Sequence, residues 1–382
     1  VEPIQLFLPK FRTEECLDEI RECLDKGWSG LGYKTLDIER EWVRYTGLPH
    51  AHFVNSGSGA LHAAMQMLKD ERGWADGDEV ISTPLTFVVT NHSILYANLT
   101  PVFADVDDSL CLDPVSVAER IGPRTRAVIF VGMGGTTGQL EAVAQLCREH
   151  SLALILDAAH MAGTRLHGSS PGLLADVTCF SFQAVKNLPT GDAGMVCFAD
   201  AELDARARRF TWFGIDKDTY ARWNDGVYSW RYDVDMVGYK YNGNSIMAAL
   251  ALVGLRYLDQ DNARRRQIGD MYRHRLAGLD HIQTIDIPAG CESSQHLFQI
   301  RCEARDALMG HLQQRGIFAG VHYRVNTEYE PYRDQAGTCP EAERVSRELL
   351  SLPLHLHLSD EDVHRVCDAV IEFTEVKPPP LP

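Results

Sequence analysis

Residues 152–160 read LALILDAAH. Five apolar positions run without alternation and stop on an acid, Asp157. A strand wet on one face alternates apolar and polar residues. A run that is apolar throughout suits a strand buried on both faces, as in a parallel sheet covered by helices. Short runs of this kind recur at HAHFVNSGSG (50–59), GDEVIST (77–83), TPVFADVD (100–107), AVIFVGMGG (127–135), ADVTCFSF (175–182) and GMVCFAD (194–200). Helix-like segments lie between them: ALHAAMQMLKDE (60–71), FVVTNHSILYA (87–97) and the amphipathic LEAVAQLCREH (140–150). Alternating strands and helices argue for an α/β fold. Residues 245–276 read as one long helix, apolar at its start and basic at its end, bridging two domains. Beyond it HLFQIRC, DALMGHLQQRG, IFAGVHY and SDEDVHRVCDAVIEFTE suggest a smaller α+β domain. The expected division is 1–250 and 251–382, with VKPPPLP (376–382) as an extended or disordered tail.

Composition limits the function. The 382 residues are 45% hydrophobic and 24% charged, enough for one large core or two domains without disulfides or structural metal. A net charge of −16 repels nucleic acid and anionic lipid, so neither is the expected partner. Ten cysteines include no CxxC pair, which reads as free thiols in a reducing cytoplasm and gives no zinc spacing. The start lacks a signal-peptide pattern, and no apolar run reaches the roughly 18–20 residues of a membrane span. A soluble cytoplasmic protein is the expectation.

Three features carry chemistry. Asp157 ends a buried strand, where ligands of open α/β sheets bind. Alone it could cap a helix over AAHMAG, and His160 could be an ordinary core histidine. NSGSGALH (55–62) puts Gly57 and Ser58 at a helix start, where free N–H groups and the helix dipole suit one phosphate. No GxxxxGK[ST] follows a strand, so a Walker P-loop is excluded. Lys186 sits in SFQAVKNLPTGDAG (181–194), past an apolar run and before a Thr-Gly-Asp turn. Phosphate site, strand-end carboxylate and lysine together suit pyridoxal 5′-phosphate (PLP). That cofactor needs a carboxylate at its ring nitrogen and a lysine at its aldehyde. Only a neutral amine attacks a carbonyl, so the lysine needs a depressed pKa.

With these residues in order, the chain resembles the PLP-dependent sugar aminotransferases of the DegT/DnrJ type. SFQAVKNLPTGDAG looks like their lysine motif. GLGYKTLDIEREW, VNSGSGALH, STPLTFVVTNHSILYANLTPVFADVD, LDAAHMAG, GYKYN and SLPLHLHLSDEDV match in the family's order over nearly the whole chain. The resemblance implies a fold type I PLP-transferase: a large domain on a mostly parallel seven-stranded sheet, with an N-terminal substrate-side segment, plus a smaller C-terminal α+β domain. It implies that Lys186 bonds the cofactor and shuttles the proton, and that Asp157 pairs with the ring nitrogen. It places His160 near the ring and its phenolic oxygen, Phe87 on the ring face, and Gly57, Ser58 and Ser181 at the phosphate. Asn242 of GYKYN would reach the phosphate of a neighbouring subunit in a homodimer with shared active sites. His296, His322 and Tyr323 would approach the substrate, with Arg231, Lys240 and Arg324 as candidate anion contacts.

Two positions depart from the family's pattern. Ser58 stands where a threonine is usual, and VGMGGTTG lacks the His and Pro of the matching loop. Relatives that remove a sugar hydroxyl carry histidine in place of the lysine, so Lys186 favours transamination. The expected reaction moves an amino group from L-glutamate to a keto-sugar, most simply a nucleotide-linked 4-keto-6-deoxyhexose. The pathway would be amino-sugar biosynthesis for a cell-surface polysaccharide such as lipopolysaccharide, or for a secondary metabolite. Amination of a non-nucleotide keto-sugar or cyclitol, elimination on the same scaffold, and a non-catalytic regulatory or sugar-binding protein are the alternatives. No metal site is expected, although HLHL (His355, His357) has alternate histidines.

Overall fold

The computed structural model describes residues 2–217, 220, 222–224, 227, 228 and 230–375. The expected tail, 376–382, lies outside the described residues. Seven strands form the main sheet: β1 (His52–Val54), β2 (Glu79–Ser82), β3 (Thr100–Phe103), β4 (Thr125–Val131), β5 (Ala153–Asp157), β6 (Val177–Ser181) and β7 (Gly194–Phe198). Their order is β1-β7-β6-β5-β4-β2-β3. Only β7 runs against its neighbours β1 and β6; the pairs β6–β5, β5–β4, β4–β2 and β2–β3 are parallel.

The unbroken apolar runs have a direct cause. Along β5, Leu154 and Leu156 enter one core, and Ala153 and Ile155 enter the core on the opposite face. Along β4, Val128 and Phe130 do the first and Ala127 and Ile129 the second. Each buried Leu, Ile or Phe contributes about 1.5–3 kcal/mol of transfer free energy. A polar residue at either parity would forfeit that and bury an unpaired group. Helix Gly57–Arg72 lies on the second face, burying Ala60, Leu61, Ala63, Ala64, Met65, Met67 and Leu68. It ends at Gly73, whose φ of 63° closes the helix through a bond from its N–H to Lys69 O.

The long segment is one helix, Ser245–Leu276, with the bounds the sequence suggests. Residues 250 and 251 fall inside it. Its first half, through Ala248, Ala251 and Leu258, joins the core on the first sheet face. Its second half, through Ile268, Tyr272 and Leu276, joins a third core. That core covers a small antiparallel sheet of β8 (Gln283–Thr284), β9 (Phe298–Arg301) and β10 (Leu349–Leu352), with helices Arg305–Gln314 and Asp360–Glu375. The N-terminal segment crosses to this side. Ile4 is buried in the third core and pairs with Ile317. His355 and His357 spend ring nitrogens on the main-chain carbonyls of Gln5 (3.1 Å) and Pro9 (3.3 Å), fastening the same segment. All ten cysteines are free, and nine are buried. Among the described residues no helix is long and apolar enough to cross a membrane.

Candidate active site

Because β1, β2, β4, β5 and β6 point the same way, their carboxyl ends meet at one edge. β7 starts there, with Gly194 opposite both Val54 and Ser181. A cavity of about 410 Å³ opens at this edge, within the range of small-molecule sites. Gly57, Ser58, Phe87, Asp157, His160, Ser181, Lys186, His322 and Tyr323 line it. The structure therefore brings together nine residues singled out from sequence.

Asp157 terminates β5 and is 4% exposed. No helix follows it: residues 158–163 form turns, so the helix-cap reading is wrong. The carboxylate instead holds the turn. Oδ1 accepts from the N–H of Ala159 (3.1 Å), and Oδ2 accepts from the Thr90 hydroxyl (2.7 Å). Burial pushes its pKa up, against those two bonds and the charge of Lys186.

Lys186 rides on the connection between β6 and β7. Phe182 N–H bonds to Ala193 O and Thr190 N–H to Phe182 O, each at 2.8 Å, which closes the connection into a tight hairpin. Burial pulls the ammonium down to about 8, opposed by the charge of Asp157. The next residue, Asn187, is a buried anchor that the sequence reading passed over. Its Nδ2 donates to Asn262 Oδ1 (2.8 Å) and Ser294 O (2.7 Å), and its Oδ1 accepts from His296 Nδ1 (2.9 Å).

His160 has a fixed proton position. The N–H of Gly134 donates to its Nδ1 (3.2 Å), and burial, then the charges of Lys186 and His322, push its pKa well down. The ring is thus neutral with its proton on Nε2, which donates to Tyr323 Oη at 3.1 Å. Burial raises the Tyr323 phenol, so Tyr323 stays protonated. His322 is pulled down to about 4 by burial and by Lys186, and its Nδ1 meets Ser351 Oγ at 2.9 Å. His296 is 1% exposed and does not line the cavity; it packs behind His160 with ring centroids 4.5 Å apart. Phe7 stacks on His296 (5.9 Å) and meets His322 edge-on (5.4 Å), so the N-terminal segment closes the wall.

At the helix start, Ser56 Oγ accepts from the N–H of Gly59 (3.0 Å). The N–H groups of Gly57 and Ser58 lie in the first turn, where no intrahelical partner exists. A Cβ on Gly57 would stand 2.9 Å from Ser181 Cβ, so glycine alone lets the helix start and β6 approach this closely. Phe87 is 56% exposed at the mouth, 5.9 Å from the Tyr323 ring.

Four expected residues lie elsewhere. Asn242 runs beside the end of β1, bridged to Val54. Its Nδ2 donates to Gly243 O (2.9 Å), while its buried Oδ1 has no partner among the described residues. Arg231 and Lys240 lie over the rings of Trp230 (5.3 Å) and Trp212 (5.8 Å). Arg324 is paired with Glu328. None of the four lines the cavity of its own chain. Of the VGMGGTTG stretch only Val131 lines the cavity; a Cβ on Gly132 would meet Met161 Sδ at 2.0 Å, so the thioether occupies the place of a side chain there.

Residues 11–371 match the sequence profile of the DegT/DnrJ/EryC1/StrS aminotransferase family. The chain belongs to this family. As a DegT/DnrJ/EryC1/StrS aminotransferase it is a PLP-dependent sugar aminotransferase of fold type I. It is 35% identical over 379 residues to dTDP-4-dehydro-2,3,6-trideoxy-D-glucose 4-aminotransferase of Saccharopolyspora spinosa, covering 96% of this chain and 95% of that protein. It is 33% identical over 380 residues to the spore coat polysaccharide biosynthesis protein SpsC of Bacillus subtilis, with 96% of each covered. The crystal structure of the aminotransferase TlmJ from Streptoalloteichus hindustanus superposes with a TM-score of 0.89 at 34% identity, over 97% of this chain and 98% of that one. The site fits the family's cofactor on its own geometry. Unused helix N–H groups, a glycine cradle, a buried carboxylate and a lysine of lowered pKa face one cavity.

Proposed function

We propose that this aminotransferase moves the amino group of L-glutamate to a nucleotide-linked 4-keto-6-deoxyhexose in amino-sugar biosynthesis, as a cytoplasmic homodimer. The observation that carries the proposal is the meeting of Lys186, Asp157 and the helix start at Gly57 around one cavity. The dTDP-sugar relative supports the substrate class. When bound, PLP supplies an electron sink that lets a C–H bond next to nitrogen release its proton.

The residues have separable tasks. Gly57 and Ser58 donate main-chain N–H groups, and Ser181 its hydroxyl, to the phosphate. Asp157 offers a carboxylate oxygen to the ring nitrogen; a cation there offsets the burial that raises its pKa. His160, neutral and donating to Tyr323, would hold the cofactor ring on the side of its phenolic oxygen. Phe87, at the cavity mouth, would cover the ring face. Lys186, as a neutral amine, would hold the cofactor's aldehyde, and its Nζ would take up and return the proton that the reaction moves. His322 and Tyr323 face the sugar, and His296 supports His160 from behind.

The second subunit is part of this reading. Exposed Trp230, Tyr232, Val234, Val237 and Tyr239 lie on the segment that carries Arg231, Lys240 and Asn242, with exposed Phe213 beside it. Covering these apolar residues with a second copy would carry Arg231, Lys240 and Asn242 to the neighbour's site. Ten free thiols favour a reducing compartment. The test is incubation with L-glutamate and a panel of dTDP- and UDP-linked 4-keto-6-deoxyhexoses, read by mass spectrometry. One 2-oxoglutarate per aminated sugar is expected; amination without 2-oxoglutarate removes the donor, and amination of free sugars alone removes the nucleotide.

A further inference from the structure

Asp157 is backed by two linked hydroxyls at the wall of the same cavity that the reaction as described leaves idle. Thr90 lies in helix Val89–Tyr96 and is 1% exposed. A threonine inside a helix commonly turns its hydroxyl back to the carbonyl one turn earlier. Thr90 Oγ1 instead donates across to Asp157 Oδ2 at 2.7 Å. That uses its single proton, so in the Thr86–Thr90 hydroxyl pair, 3.0 Å apart, Thr86 is the donor. The chain has one direction: Thr86 to Thr90 to Asp157. Its far end is fixed, since Thr86 O accepts from Asn326 Nδ2 (2.8 Å) and Asn326 Oδ1 accepts from Asn91 Nδ2 (2.8 Å). Phe87 follows Thr86 directly, so the ring at the cavity mouth and the carboxylate at its floor are tied through two hydroxyls.

The titratable groups facing Asp157 are Lys186, Tyr323 and Cys179. Lys186 favours the carboxylate, whereas burial disfavours it. Hydrogen bonds aimed at the charged form reinforce one another in series. We infer that Thr90, oriented by Thr86, is a positioning residue that holds Asp157 ionised and aimed, and through it sets the protonation of the cofactor's ring nitrogen. This rests on Asp157 being the ring-nitrogen partner.

The experiment uses the full-length chain labelled with carboxyl-¹³C aspartate, with the Asp157 signal assigned by Asp157→Asn. Titration is followed by NMR without and with pyridoxal phosphate. Thr90→Val keeps the shape and removes the proton; it is expected to raise the Asp157 midpoint by about 1–2 pH units, the size of one charge-assisted hydrogen bond. Thr90→Ser restores the wild-type midpoint, and Thr86→Val gives a smaller rise. An unchanged midpoint in Thr90→Val, or a serine variant that behaves like valine, overturns the inference. Failure of the underlying reading looks different: the cofactor binds and the Asp157 signal of the wild type does not respond.

Discussion

Gly57→Ala separates cofactor binding from folding. The position has no left-handed φ, so only space forbids a side chain. An added Cβ would stand 2.9 Å from Ser181 Cβ and 3.4 Å from Ser181 Cα. Ordinary contact begins at 3.4 Å, so the helix start must retreat by at least 3.4 − 2.9 = 0.5 Å from β6. Overpacking of this kind costs about 1–3 kcal/mol. Alanine's better helix propensity returns up to about 1 kcal/mol, so net stability falls by roughly 0–3 kcal/mol. Binding suffers more. If the N–H groups of Gly57 and Ser58 and the hydroxyl of Ser181 hold the phosphate between them as proposed, the retreat lengthens those bonds together. Weakening these charge-assisted bonds by about 1.4 kcal/mol in total, roughly the worth of one of them, predicts a Kd for pyridoxal phosphate raised about 10-fold. The assay is cofactor titration by absorbance alongside urea unfolding of cofactor-free protein. Gly73→Ala is the control: φ is 63° with nothing within 4 Å, so it loses about 1 kcal/mol of stability and leaves the Kd alone. A Gly57→Ala protein that folds and binds the cofactor as tightly as wild type refutes the cradle.

Three other outcomes follow from the geometry. The rate at which cofactor-free protein captures pyridoxal phosphate should rise with pH through about 8, because only the neutral Lys186 amine attacks. Asp157 raises that value, so Asp157→Asn should move the midpoint to lower pH; a midpoint moving upward contradicts the assignment. Asn187→Ala strips partners from Asn262 Oδ1, Ser294 O and His296 Nδ1, and urea unfolding should show a loss of about 2–4 kcal/mol. If Asn242 serves the partner's site, mixing Lys186→Ala subunits with Asn242→Ala subunits gives hybrids with one native site, and activity should return. No recovery after verified subunit exchange counts against the shared site.

Fold and cavity floor were legible because they depend on local signals. Runs such as LALIL and VTCFS expose the two-sided burial of β5 and β6, and NSGSGALH carries its own helix start. The turn after Asp157 was not legible: AAHMAG has helical composition, and the local bond to Ala159 with the tertiary bond to Thr90 decides its shape. Asn187 was hidden because its partners lie 75 and 107 residues away, on the long helix and the loop before β9. His296 looked like a substrate contact, and only the packing of Phe7 and His160 around it shows a second rank behind the cavity. Thr86 and Thr90 carried no signal in sequence; they gain meaning only from the carboxylate across the gap.

Borohydride reduction of the cofactor-loaded protein, followed by proteolysis and peptide mass spectrometry, tests the account at its centre. A single pyridoxyl mass on the amine of Lys186 is the expected result, with no label in Lys186→Ala. A label fixed on another lysine, or none in protein that has taken up the cofactor, contradicts it.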